Sequence, residues 1–207
     1  MFEIPPDPSH PGTLLIGIKI VSRHHIATGL EYECCIFVVR SAILMTRKET
    51  IIATILLILF GTSMHFVHHL PFFNHFLGYI FPVKESVMAH MKMIFYPMLL
   101  LSLYLLISRR DIRVVGAPIL GSLAVMPLVI VSFFAYWIFV RHELMAIDMI
   151  IYISVMIGAV HLTKRWMDNR IIKDWWPLWI IVAAIVIVLT GFLTYNSPDW
   201  IIFADLG

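Results

Sequence analysis

The residues most able to do chemistry cluster between positions 61 and 98, in the segment that joins one apolar run to the next. This segment contains Glu85 and Lys92 together with several histidines. Imidazole and carboxylate groups bind zinc, imidazole exchanges protons near neutral pH, and both groups are costly to place in lipid without partners. So many titratable groups beside apolar helices need a structural or functional reason. Five of the ten histidines lie here: His65, His68, His69, His75 and His90.

A metal site is one interpretation of this cluster. His65 and His69 are four residues apart and would share one face of a helix. A catalytic zinc site needs three protein ligands and an open position, and zinc or a similar divalent transition metal suits imidazole and carboxylate. No compact signature such as His-Glu-x-x-His occurs in the chain. The predicted metal ligands are His65, Glu85 and His90, with Asp148 as a further candidate.

The position of a helix start decides whether Glu85 and His90 can act together. On a regular helix these two residues would point about 140° apart, so they could not bind one metal. They could do so if Glu85 precedes the helix. Pro82 and Ser86 favour a helix start near this point, with Ser86 as the N-cap.

Two other interpretations stay open. In the first, the polar groups form a structural network, in which Lys92 pairs with Glu85 or with Asp148 and holds the helices together. In the second, the chain is a transporter or proton relay, although no inverted repeat is visible. No nucleotide-binding loop, serine nucleophile elbow or dinucleotide motif appears in the sequence.

Composition indicates the elements that position these residues. The chain is 60% hydrophobic and only 14% charged, which excludes a disordered chain and argues against an ordinary soluble domain. A net charge of +2 is too small to indicate a nucleic-acid partner. A helix of about 20 apolar residues crosses a bilayer. We therefore predict an all-α transmembrane bundle in the lipid bilayer of the cell membrane, with five spans at residues 50–70, 86–108, 114–140, 144–163 and 175–195.

The positions of lysine and arginine predict the orientation of the bundle. Nine of these residues flank the spans on one side if the spans alternate in direction. We therefore expect the amino terminus of the bundle inside and the carboxyl terminus outside. The candidate polar site then lies at the outer face, with Asp205 in the tail as a contact of a lid. Its members are His65, Glu85, His90, Lys92, Asp148 and Asp205.

Residues 1–44 differ from the rest of the chain. They begin with a proline-rich polar stretch, and no uncharged run among them is long enough to cross a membrane. We expect either a poorly ordered extension or a misassigned start, with the protein beginning at Met45. Residues 45–207 would then form the five-span membrane domain. Cys34 and Cys35 are adjacent and predict no disulfide framework.

Residues 81–92 read Phe-Pro-Val-Lys-Glu-Ser-Val-Met-Ala-His-Met-Lys. This stretch resembles the Pro-Val-Asn-Glu-Ser-Val-Trp-Glu-His-Leu-Lys signature of a family of small bacterial integral membrane proteins of unknown function. The similarity extends to a His-Phe pair near the end of the first span and to Asp148 and Met149 in the fourth. A tail with Pro198, Phe203 and Asp205 is also similar, so the resemblance covers roughly residues 46–207.

This sequence departs from the signature at Lys84, Met88 and Ala89, beside the candidate site residues rather than at them. The extra cation Lys84 argues against a strongly acidic pocket around Glu85. The resemblance implies a fold and a candidate site but no activity. We therefore expect a membrane protein whose polar cluster is mainly structural or binds a small ligand. The alternative is a metal-dependent membrane hydrolase acting on a lipid or envelope substrate, in which the metal would activate water.

Overall fold

The computed structural model describes residues 44–67, 77–83, 86–140 and 145–196, all within one compact unit, Phe37–Gly207. Regular structure in these ranges is helical, and short 3₁₀ turns at Leu77–Tyr79 and Ile112–Val115 precede the second and third long helices. The expected extension lies outside the described residues apart from Leu44, as do Glu85 and Asp205. The helices are α1 (Arg47–Phe66), α2 (Val87–Arg109), α3 (Gly116–Val140), α4 (Met145–Trp166), α5 (Arg170–Asp174) and α6 (Trp176–Tyr195).

Five of these helices are long and apolar enough to cross a membrane, which confirms the predicted all-α fold and its five spans. The exception is α5, a single turn that starts at the Asn169 cap and lies between two spans. The predicted helix start near Ser86 is also confirmed, because α2 begins at Val87. Its first main-chain hydrogen bond runs from the His90 N–H to the Ser86 carbonyl over 3.2 Å.

Local sequence explains where α1 begins and how it joins α2. The Thr46 hydroxyl accepts a hydrogen bond from the Glu49 N–H at 3.1 Å, and the Glu49 carboxylate accepts one from the Thr46 N–H at 2.7 Å. This capping box satisfies two N–H groups that the first turn leaves without helical partners. Glu49 also accepts hydrogen bonds from Arg109 at 2.8 and 2.9 Å, which ties the start of α1 to the end of α2.

The long helices alternate in direction. The end of α1 meets the start of α2 through His65 and His90, and the end of α3 meets the start of α4 through Tyr136 and Asp148. Helices α1 to α4 form a ring in which each packs on the next and α4 packs on α1. Helix α6 packs on α3 and on both 3₁₀ turns. The ends of α1, α3 and α6 therefore lie at the same end of the bundle as the starts of α2 and α4.

Close helix packing fixes this arrangement where α1, α2 and α4 meet. The buried Tyr152 hydroxyl of α4 donates to the Leu57 and Ile58 carbonyls of α1, at 3.2 and 3.3 Å. A side chain at Gly61 would collide with that hydroxyl and would lie 2.7 Å from the Met93 carbonyl oxygen of α2. A small residue here lets the helix backbones approach closely, as is common between membrane helices.

Candidate functional site

Three of the predicted site residues come together at one end of the bundle. His65 lies in the last turn of α1, His90 in the first turn of α2 and Asp148 in the first turn of α4. Each side chain is partly buried. The alternation of helix directions brings these residues together although up to 83 positions separate them in sequence (148 − 65). Glu85 and Asp205, the other predicted carboxylates, lie outside the described residues.

A local hydrogen bond orients the ring of His90. Its Nδ1 lies 2.9 Å from the Ser86 carbonyl oxygen, one turn earlier. A carbonyl oxygen can only accept, so Nδ1 donates this hydrogen bond, and in the neutral ring the lone pair is then on Nε2. Histidines that bind metals commonly use one nitrogen in this way to fix the tautomer while the other acts as ligand. His90 can therefore accept a hydrogen bond or bind a cation at Nε2.

The rings of His65 and His90 are neighbours, with centroids 6.2 Å apart and planes tilted by 36°. Two imidazoles bound to one tetrahedral zinc would have centroids about 5 Å apart, given zinc–nitrogen distances near 2.0 Å. The observed spacing is about 1 Å longer than that arrangement. As they stand, the two rings are neighbours but do not match the spacing of two ligands on one zinc ion.

Asp148 faces the same region from α4. One of its carboxylate oxygens accepts a hydrogen bond from the Tyr136 hydroxyl of α3 at 2.6 Å. Asp148 and His90 both line a cavity of about 10 Å³, the volume needed for one water molecule. We call it the His90 cavity. Its walls are Val87, His90, Ile94, Val129, Phe133, Asp148, Ile151 and Tyr152.

The His90 cavity combines an apolar wall with two electron-rich groups, the imidazole and the carboxylate. An ionisable group at membrane depth is costly unless it faces a cavity or a partner, and both conditions hold for Asp148. A guest that complements these groups is small and donates hydrogen bonds or carries positive charge. One water molecule or one cation fits that description.

Lys92, by contrast, lies on another side of α2. Its side chain is 2% exposed, and its ammonium group donates to the Gly78 carbonyl at 2.9 Å and to the Thr194 hydroxyl at 2.5 Å. Two residues along a helix correspond to about 200°, so His90 and Lys92 must point to opposite faces. The pairing of Lys92 with Asp148 that the sequence left open does not occur, because each has a different partner. The pairing with Glu85 lies outside the described residues.

The surroundings of Lys92 hold the first 3₁₀ turn between α2 and α6. The Tyr96 hydroxyl donates to the Tyr79 carbonyl at 3.1 Å, and the Tyr79 and Tyr195 rings meet edge to face. A side chain at Gly78 would collide with the Tyr195 hydroxyl and would lie 2.8 Å from a Val83 methyl group. Lys92 therefore anchors a tightly packed junction. We call it the Lys92 cluster: Lys92, Gly78, Tyr79, Tyr96, Thr194 and Tyr195.

Among the residues that the structure describes, no three His, Cys, Asp or Glu side chains converge in a way that could hold a metal ion. The predicted ligand set includes Glu85, which is not one of them. A metal ion held by His65 and His90 would need a third protein ligand. The metal assignment for His65, Glu85 and His90 stays a prediction.

Sequence reasoning missed the hydroxyl groups that complete both arrangements. The Tyr136 hydroxyl binds Asp148 beside the His90 cavity, and the hydroxyls of Thr194 and Tyr96 belong to the Lys92 cluster. A tyrosine in an apolar span is usually part of the packing, so its residue type carries little signal. The helical periodicity of α2 did indicate that His90 and Lys92 belong to different sites, because it places their side chains about half a turn apart.

The comparisons add family membership but no activity. No curated protein and no solved structure matches the chain. One family model does match, over residues 39–206, which include every predicted span and every candidate site residue. That match covers most of the 207 residues and bears out the expected membership in a family of unknown function. The chain belongs to the family of unknown function DUF6512.

Proposed function

We propose that this chain is a multi-pass protein of the cell membrane that binds a small ligand, best a divalent cation, in the His90 cavity at its outer face. The amino-terminal end of α1 would face the inside. Support for this orientation comes from arginine and lysine at one end of the bundle, as in Arg47, Arg110 and Lys164. Titratable side chains at the opposite end would then face outward.

One observation carries the proposal: His90 and Asp148, from different helices, line the same small cavity. His90 contributes its imidazole to the wall, and the hydrogen bond that Asp148 accepts from Tyr136 leaves other carboxylate lone pairs for a guest. A purely structural pair would contact directly and leave no cavity. The volume of about 10 Å³ limits the guest to a water molecule or a single ion unless the walls move.

His161 offers a matched control. It lies on α4 near the other end of the bundle, is exposed, and places its Nδ1 3.0 Å from the Ile157 carbonyl, one turn earlier. His90→Ala and His161→Ala therefore remove the same residue type and the same local hydrogen bond. Only His90→Ala removes a wall of the cavity.

Thermal unfolding of the detergent-purified protein, with zinc, manganese or magnesium ions, tests the proposal. A ligand at one hundred times its Kd stabilises the folded state by about 2.7 kcal/mol. We expect one of these ions to stabilise the unmodified protein and His161→Ala but not His90→Ala. Equal stabilisation of both variants, or none of any protein, would contradict cation binding at this cavity.

A metal-dependent hydrolase acting on a lipid or envelope substrate is the second candidate. The neighbouring rings of His65 and His90 favour it, because such a pair could supply two ligands of a metal that activates water. Metal content of the purified protein, compared with His90→Ala and Glu85→Ala, tests this candidate. Stoichiometric zinc that both variants lose would support it, whereas metal that persists in both would exclude this ligand set.

A further inference from the structure

We propose that the groove between α1 and α2, at the end of the bundle opposite the His90 cavity, binds an anionic phospholipid. One acyl chain would lie in the groove, and the phosphate would lie among the basic residues at its mouth. The groove has a volume of about 310 Å³, at the lower end of the range for ligand sites. Its walls include Ile52, Leu56, Leu57, Leu100, Leu101 and Tyr104.

The shape and exposure of this groove suit an acyl chain. The walls on α1 run from Glu49 to Leu57, a rise of about 12 Å along the helix. Ile52 and Leu56 are 56% and 59% exposed, so the groove opens on the surface that lipid covers. Tyr104 lies near the basic end of α2 and is 47% exposed, a position typical of tyrosine at the level of lipid headgroups.

The end of the bundle at which the groove begins is basic. Arg47 and Lys48 begin α1, Arg110 follows α2, and all three side chains are exposed. The acidic wall residue, Glu49, is compensated by Arg109, which lies 2.8 Å from it. Within the described ranges, Arg47, Lys48 and Arg110 have no ion-pair partner. Basic residues clustered beside membrane helices attract anionic headgroups, so charge complementarity selects an anionic lipid over a zwitterionic one.

A second apolar depression on α6 shows why the charge matters. It lies among Ala184, Ile185, Val188, Leu189 and Phe192, and residues 184–192 contain no charged side chain. Any acyl chain could cover that surface without preference. The groove between α1 and α2 differs because its apolar walls lead to unpaired cations.

Two pairs of variants distinguish lipid binding in the groove from lipid binding elsewhere on the surface. Ala53→Trp fills the groove, and Ala184→Trp adds the same bulk to the depression on α6. Lys48→Gln with Arg110→Gln removes two charges from the mouth. Lys164→Gln with Arg165→Gln removes two charges at the end of α4. The charge variant at Lys48 and Arg110, with its control at Lys164 and Arg165, tests the groove even if Ala53→Trp fails to fold.

Retention of phosphatidylglycerol against phosphatidylcholine, measured by native mass spectrometry of protein taken from mixed-lipid micelles, is the readout. Because each cation near a headgroup contributes about 1 kcal/mol, we expect the Lys48 and Arg110 changes together to lower the preference about thirtyfold. Ala53→Trp should lower it as strongly, and both control variants should keep it. Equal retention of both lipids by the unmodified protein, or equal loss in a variant and its control, would overturn the proposal. So would a change of oligomeric state with Ala53→Trp alone, because a second copy of the chain would then occupy the groove.

Discussion

The Lys92 cluster and the His90 cavity begin within two residues of each other on α2, yet they are built in different ways. Lys92 is 2% exposed and donates to two oxygen atoms from the Leu77–Tyr79 turn and α6. His90 is only partly buried, and beyond its ring lies a small cavity shared with Asp148. The first arrangement is filled by protein, whereas the second leaves room for a guest.

This difference assigns separate roles to residues that look alike in the sequence. A buried ammonium group with close partners holds a turn and two helices together, and its removal should cost stability. An imidazole and a carboxylate that face a cavity contribute less packing, and their removal should cost binding. This assignment of roles would be wrong if a Lys92 variant lost binding but not stability. It would also be wrong if a His90 or Asp148 variant lost stability but not binding.

The largest effect should come from Lys92→Ala. This change removes two hydrogen bonds made by a charged donor and leaves a void around the Gly78 carbonyl, so we expect a loss of about 3 kcal/mol in the free energy of unfolding. Thermal unfolding in detergent measures it, and Lys164→Ala at the opposite end serves as control. Unchanged stability with lost cation binding would instead make Lys92 part of the ligand site.

A smaller loss should follow from Gly78→Ala. The added methyl group would collide with the Tyr195 hydroxyl and approach a Val83 methyl group at 2.8 Å, so the turn or the side chains packed on it must shift. We expect destabilisation of about 2 kcal/mol. Gly158→Ala is the matched control, because the nearest atom to its new methyl group is 4.0 Å away. In the interior of α4 that change should be neutral or slightly stabilising. Equal effects at both glycines would show that the turn is not tightly held.

The smallest effect on stability should come from Asp148→Asn. The amide keeps the shape and an oxygen atom that can accept the hydrogen bond from Tyr136, so we expect a change within about 1 kcal/mol. Cation-dependent stabilisation should nevertheless disappear, because the carboxylate charge is gone. Thermal unfolding with and without the ion separates the two effects. If Asp148→Asn unfolds readily but still responds to the ion, the carboxylate is structural.

Much of the fold could be predicted from the sequence. The five apolar runs predicted the five long helices, with ends that differ by a few residues, and Ser86 predicted the start of α2. Long hydrophobic runs are a strong signal because lipid requires every backbone group to be satisfied within a helix. The short helix α5 was not predicted, since its five residues lack a hydrophobic run of their own.

The candidate site could be predicted only in part. Residue types and the alternation of spans placed His65, His90, Lys92 and Asp148 at one end of the bundle. They did not indicate that Tyr136 would bind Asp148 or that Thr194 would bind Lys92. These contacts join residues on different helices, and their choice depends on which helices become neighbours.

The sequence by itself determined that this chain forms five apolar helices with polar groups gathered near certain ends. It also determined that His90 and Lys92 point to opposite faces of α2, because the helical repeat is a local property. Only the tertiary structure decided what each face meets: α6 and the Leu77–Tyr79 turn at Lys92, and α3 and α4 at His90. The physical reason is that neighbour choice follows from packing of whole helix surfaces, including the close approach at Gly61, and not from any single residue.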